Sequence, residues 1–375
     1  MHSNHSARDE AKEYCASAVP QVRVPVMADA TMPDHIASAK SDRRDISYRW
    51  RVWNRLVLVG LGIVCLISPA INIGVDPYDI FRVSPLGLGP SLNQRYQHIR
   101  LLESNPKRFN VLMMGTSVMG INDPRLVDQL VPGARGYNMG FFVASPSDLL
   151  SAAKYLNSKG ALPKHVIVGV DTFLFVARDA ALRQQFRFPA EVDDESAMAW
   201  WLDAAFSSSL PQSMSKVVES FRSLPSVKFD LERGNYSLPR SAVAIRDDAA
   251  GHAALVFTPV AKIESDTHLV PSEFDALTKL VAFFERTGTS VLWIVEPNSS
   301  VLKNAYGQVR FKRLMDRIRE RLSGDVVDLS EFGNLADDPA LWYDMKHYTE
   351  KAGVDVLTTA IRKSATFSHL DLRIP

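Results

Sequence analysis

Between Leu56 and Ile73 the chain reads LVLVGLGIVCLISPAINI, with no charged residue and one amide, Asn72. A segment of that kind has few options. Crossing a bilayer takes roughly 17 to 25 mostly apolar residues, so the run is long enough with little tilt. A buried core helix of similar length ordinarily carries charge on one face. A cleaved secretory signal is shorter and starts nearer the first methionine. The run therefore predicts a transmembrane helix over about 53–75. Trp53 sits at one edge and Tyr78 lies beyond the other, where interfacial aromatics collect.

Charge sets the expected orientation. Lys40, Arg43, Arg44, Arg49, Arg51 and Arg55 precede the run, whereas Asp76 and Asp79 follow it. Basic flanks stay in the cytoplasm, so the expectation is a single-pass signal anchor of the cytoplasmic (inner) membrane. The polar tail over 1–52 is then cytoplasmic and largely disordered. Everything after the anchor is extracytoplasmic, in a periplasm or cell envelope. Cys15 and Cys65 both fall before that exported part, which leaves it no intrachain disulfide. Its length is ample for a core without one. A net charge of +1 over 375 residues gives no field pointing to nucleic acid.

Beyond the anchor, Asp76-Pro77-Tyr78 and Ser84 to Pro90 read as a loop-rich connector over 76–108, with a helix over 93–105. From 109 to 375 apolar strands alternate with helical patterns. Strands are expected at 109–114, 135–138, 165–170, 290–295 and 326–329. Helices are expected at 124–130, 145–159, 274–287, 309–322 and 349–364. Continuous apolar strands between helices mean a parallel sheet covered on both faces. The expected fold class is α/β, a flavodoxin-like three-layer α/β/α sandwich preceded by one transmembrane helix. About 180–270 breaks the rhythm and reads as a largely helical insertion, with Trp200 and Trp201 either as core residues, the commoner case for such a pair, or as a platform for sugar rings.

In an open parallel sheet, ligands bind outside the carboxyl ends of the strands. Ser117 follows the first strand, in Gly115-Thr116-Ser117. Asn138 and Gly140 close the second, Asp171 ends the third, and Glu296 follows the fourth. Asp171 could cap the next helix, hold an arginine or contact a substrate, and Glu296 has the same standing. Asp344 and His347 come just before the last helix. An Asp three residues ahead of a His can accept the Nδ1 proton and leave Nε2 to take a proton from a nucleophile.

The order of these blocks resembles the SGNH (GDSL-like) hydrolase superfamily, in its membrane-anchored polysaccharide O-acyltransferase branch. The likeness covers about 110–360. It rests on Gly115-Thr116-Ser117, on Asn138-x-Gly140, and above all on Asp344-x-x-His347-Tyr348-Thr349. It implies Ser117 as nucleophile, His347 as general base then acid, and Asp344 as the orienting carboxylate. It implies an oxyanion hole of the Ser117 and Gly140 N–H groups, either with these two donors alone or with Asn138 supplying a third. Two positions depart from the family pattern. Thr116 stands where an Asp usually precedes the nucleophile, and Asp171 stands where an Asn usually faces the oxyanion. An ionised Asp cannot donate.

The implied activity is an acyltransferase or esterase acting on an exported polysaccharide through an acyl-serine, with Asp171 and Glu296 on the rim of the substrate site. The implied partners are a glycan acceptor and a multi-span membrane protein that brings the acyl donor. No cofactor is expected, and no metal, since apart from a minor alternative in which Asp171, Asp344 and His347 form a metal site nothing in the chain has ligand spacing. The departures at Thr116 and Asp171 also motivate a second reading, a catalytically degenerate binding or assembly protein of an envelope glycan system.

Overall fold

The computed structural model of the protein describes residues 36–81, 92–177, 186–207, 210–256, 258, 268–333 and 335–373. The tail over 1–35, the connector over Ser84 to Pro90 and parts of the 180–270 insertion lie outside them. The chain divides into two compact units, Met1–Leu61 and Gly62–Pro375.

One long helix, α1, runs over Ile36–Val75. It begins within the stretch expected to lack structure. Over Tyr48–Val75 it is long and apolar enough to cross a membrane, and only 12% of its most apolar window is buried in the protein.

The second unit is an α/β structure. Its strands are β1 (Val111–Gly115), β2 (Gly136–Gly140), β3 (His165–Val170), β4 (Lys228–Phe229), β5 (Tyr236–Ser237), β6 (Ser290–Val295) and β7 (Asp325–Asp328). Its helices are α2 (Gln94–Ser104), α3 (Ser117–Gly120), α4 (Arg125–Leu130), α5 (Pro146–Ser158), α6 (Ala197–Phe206) and α7 (Leu210–Ser220). They continue with α8 (Pro239–Asp247), α9 (Ala249–Val256), α10 (Pro271–Thr287), α11 (Ser300–Tyr306), α12 (Gln308–Arg319) and α13 (Glu350–Lys363). Five strands pair in parallel in the order β2-β1-β3-β6-β7.

Strand alternation explains how two cores form on one sheet. Leu112 and Met114 of β1, Val166 and Val168 of β3, and Trp293 and Val295 of β6 face one side, with α2, α5, α10 and α12 packed on it. Val111, Met113, Ile167, Leu292 and Ile294 face the other, where α4 and α13 pack. Such strands are buried on both sides, which is why they read as unbroken apolar runs.

Local signals set the helix ends. Ser145 and Asp148 form a capping box on α5, with Pro146 in its first turn. Gly288 ends α10 in the left-handed region, at φ 66°. Each strand and helix expected from 93 to 375 is present, within a few residues of the expected bounds.

The insertion is not purely helical. Between α6–α7 and α8–α9 it contains the antiparallel ribbon β4–β5. Its turn presses on the sheet edge, where Asn138 N–H donates to Arg233 O at 2.8 Å. Gly234 there has φ 83°, and a Cβ would lie 1.9 Å from Asn138 O, so only glycine fits. Trp200 is not a surface platform. It is buried, with Nε1 donating to Phe188 O at 2.8 Å. Trp201 is 40% exposed and packs on Phe81 and Tyr96.

Candidate active site

The strand ends that line up in the sheet bring the candidate residues to one edge. β1 hands over to α3 through Thr116 and Ser117. Thr116 is the N-cap, its hydroxyl accepting from Val118 N–H at 3.1 Å. Ser117 follows as the first residue of the turn. Its own N–H therefore has no acceptor within the helix.

The turn is held from two sides. Gly140, at the end of β2, packs directly on it: a Cβ there would meet Gly120 N and Cα at 2.6 Å and Thr116 O at 2.9 Å. Tyr236 of β5 reaches across and donates its hydroxyl to Ser117 O at 2.5 Å. A Cβ on Gly120 would strike that tyrosine ring at 2.6 Å.

Asp344 and His347 sit on the loop before α13. The loop is pinched by a bridge between Trp342 and Tyr348 and by Tyr343 N–H donating to His347 O at 2.7 Å. Asp344 organises its interior. One oxygen accepts from Lys346 and His347 N–H at 2.7 and 2.8 Å, and the other meets His347 Nδ1 at 2.8 Å. Ser299 ties the loop to the strand ends through Met345 O at 2.6 Å. The result is a continuous relay, because His347 Nε2 lies 2.8 Å from Ser117 Oγ. Burial disfavours the ionised form of Asp344, but the hydrogen bonds from His347 and the two N–H groups outweigh it and hold the carboxyl below its usual range. With Asp344 ionised, the imidazole proton sits on Nδ1 and Nε2 is the basic nitrogen.

Asp171 does not face a developing oxyanion. It is buried and caps the 3₁₀ turn Thr172–Phe175, accepting from Phe173 N–H at 2.7 Å. Its second oxygen accepts the Thr116 hydroxyl. Burial raises its pKa, and these hydrogen bonds only partly offset that.

Glu296 is fully buried behind it rather than on an open rim. Its Oε2 accepts from Tyr348 OH at 3.1 Å, and Tyr348 OH accepts from Asn122 Nδ2 at 2.8 Å. Its Oε1 has no partner. Burial, reinforced by the charge of Asp171, pushes the Glu296 pKa up to about 8, so it is largely protonated at neutral pH.

Two expected oxyanion donors are engaged elsewhere. Gly140 N–H donates to Asn138 Oδ1 at 2.8 Å. Asn138 Nδ2 donates to Met119 O and Asn122 O at 2.8 and 2.7 Å, which uses both of its hydrogens. The physical reason is local. The backbone at the end of α3 and just after it presents carbonyls that the amide satisfies, and the amide oxygen then turns back on its own strand. Of the three anticipated donors, the Ser117 N–H remains.

Tyr236 and Asn122 carry no motif and were not anticipated. The glycine turn before Tyr236 is the one signal that could have marked the ribbon. Among the described residues, no group of three or more His, Cys, Asp and Glu is placed to hold a metal ion. No family model matches the chain, and no curated protein matches it.

Proposed function

We propose that the protein is a membrane-anchored serine acyltransferase or esterase of the SGNH type, acting outside the cytoplasm on a cell-envelope or exported polysaccharide. In this reading the parallel sheet and its helices are a flavodoxin-like three-layer sandwich, for which the strand order is the supporting feature. The anchor is Tyr48–Val75, and the basic flank keeps the N-terminus inside. The observation that carries the reading is the relay Ser117 Oγ, His347 Nε2, His347 Nδ1, Asp344, with both spacings at 2.8 Å.

The chemistry follows from that geometry. Ser117 Oγ attacks the acyl carbonyl while His347 Nε2 takes its proton. Asp344 stabilises the imidazolium, and the Ser117 N–H faces the developing oxyanion. The tetrahedral centre collapses, the leaving oxygen takes the proton back from His347, and the acyl group stays on Ser117. A glycan hydroxyl, or water, then gives its proton to His347 and attacks the acyl-serine, and His347 passes that proton to Ser117 Oγ as the acyl–oxygen bond breaks. A multi-span membrane partner would bring the acyl donor to this side of the bilayer.

The test is to trap the acyl-serine with an activated ester and locate it by mass spectrometry. Acylation of Ser117 that disappears in Ser117→Ala and falls sharply in His347→Ala is the expected result. Equal labelling of wild type and Ser117→Ala would sink the assignment. The engaged Gly140 N–H and Asn138 amide favour a second reading, a binding or assembly protein on the same fold. Full complementation of a deletion by Ser117→Ala would select it.

A further inference from the structure

Two helices of the insertion carry apolar residues on outer faces that no described part of the protein covers. On α6, Met198, Leu202 and Phe206 are 74, 51 and 53% exposed. On α7 and the residue after it, Met214, Val218 and Phe221 are 58, 44 and 85% exposed. Steps of four, or four then three, line each set along one face of its helix. The opposite faces are buried, through Trp200 and Ala204 on α6 and Ser213, Lys216 and Glu219 on α7. Single exposed apolar residues are ordinary, but two such stripes on consecutive helices mark a surface that meets something apolar.

Their position says what. Asn72, in the last turn of α1, donates Nδ2 to Ala205 O at 2.7 Å and to Ser207 O at 2.8 Å, which fastens the end of α6. Lys216 of α7 donates to Asp76 O at 2.8 Å and pairs with the buried Asp79 carboxylate. Tyr78 and Ile80 pack with Trp200 and Ala204. Residues 72–80 are where the apolar helix ends. These contacts therefore hold both helices at the level where an anchor helix leaves the hydrocarbon. Amphipathic helices at that depth seat their apolar faces at the boundary of headgroups and acyl chains.

We infer that α6 and α7 are a lipid-seated platform, with their outer faces in the surface of the same bilayer that holds the anchor. The inference rests on the anchor reading of α1. It gives the α/β unit a defined pose on the membrane rather than a tether.

The test uses the full chain in vesicles of phosphatidylethanolamine and phosphatidylglycerol, with Cys15→Ser and Cys65→Ala as background. Spin labels go on single cysteines at Leu202, Phe206, Val218 and Phe221, at Ile63 and Ile67 within the span, and at exposed Val309 and Val354. The platform labels are expected to show an oxygen-to-nickel collision ratio several-fold above that at Val309 and Val354. Ratios equal to those controls, with Ile63 and Ile67 still reading as lipid, would overturn the platform and leave the anchor intact. Water-like ratios at Ile63 and Ile67 would overturn the anchor, and the platform with it. Shielding of the platform labels that appears only in native membranes would assign the surface to a protein partner and overturn the lipid seat. All labelled positions are exposed, so each variant should fold, and four independent sites guard against one that does not.

Discussion

Thr116 and Asp171 are joined by a hydrogen bond from hydroxyl to carboxylate, across the carboxyl ends of β1 and β3. Thr116 supplies a hydroxyl donor beside Ser117, and Asp171 supplies the carboxylate that receives it. The pair joins the cap of α3 to the cap of the turn after β3, which places the start of the Ser117 turn relative to the sheet. Thr116→Val removes a buried donor and uncaps Val118, and should destabilise by about 1–3 kcal/mol. Asp171→Asn should cost less, because an amide can still accept from Phe173 N–H and pair with the Thr116 hydroxyl. Equilibrium denaturation of both variants measures the difference, and a larger loss in Asp171→Asn would contradict this account.

The relay makes a graded prediction for the proposed reaction. His347→Ala should lower the rate of Ser117 acylation by about 10²–10⁴-fold, the usual worth of a positioned base. Asp344→Asn should lower it less, because the Asp344 side chain is half-exposed and water screens part of its charge. Stopped-flow acylation with a chromogenic ester ranks the two.

Glu296 should give the protein a pH-dependent stability. Its folded pKa of about 8 lies above the ordinary value of 4.5, so the folded state holds a proton that the unfolded chain releases. The stabilisation is complete below pH 4.5 and declines as pH rises towards 8, by an amount on the order of a few kcal/mol. Glu296→Gln keeps an acceptor for Tyr348 and removes the titration. The variant should gain on wild type progressively across that window. Denaturation midpoints at several pH values would show it, and parallel curves for the two proteins would refute it.

Gly140 tests how the nucleophile turn is supported. In Gly140→Ala the new Cβ meets backbone atoms of Gly120 at 2.6 Å, which cannot swing aside. Overpacking of this kind typically costs about 1–3 kcal/mol, and here it also displaces Ser117. Gly160→Ala is the matched control: it has φ 65° but nothing within 4 Å of the new carbon. Gly160→Ala should lose some stability and keep its acylation rate, whereas Gly140→Ala should lose both.

Much of the α/β framework was legible because β1, β3 and β6 are buried on both sides and so announce themselves as apolar runs. The Ser117, Asp344 and His347 cluster was legible for a related reason. Chain order fixes which loops share a sheet edge, and Asp344 to Thr349 is a local unit in which Asp344 binds His347 while Thr349 caps α13. Gly140 and Asn138, expected as donors to an oxyanion, have other partners in the structure. Their types suit an oxyanion hole, but nothing in their spacing reveals that Met119 O, Asn122 O and their own strand take those hydrogens first. Tyr236 was not legible at all. It reaches Ser117 O from 119 residues downstream, through a ribbon whose strands are two residues long.

That sequence separation has a consequence for how the protein is made. His347 meets Ser117 across 230 residues of chain. β3, β6 and β7 are all synthesised in between. A chain still emerging from the ribosome thus carries Ser117 without its imidazole partner. Ser117 gains that partner only when nearly all of the α/β unit has been synthesised.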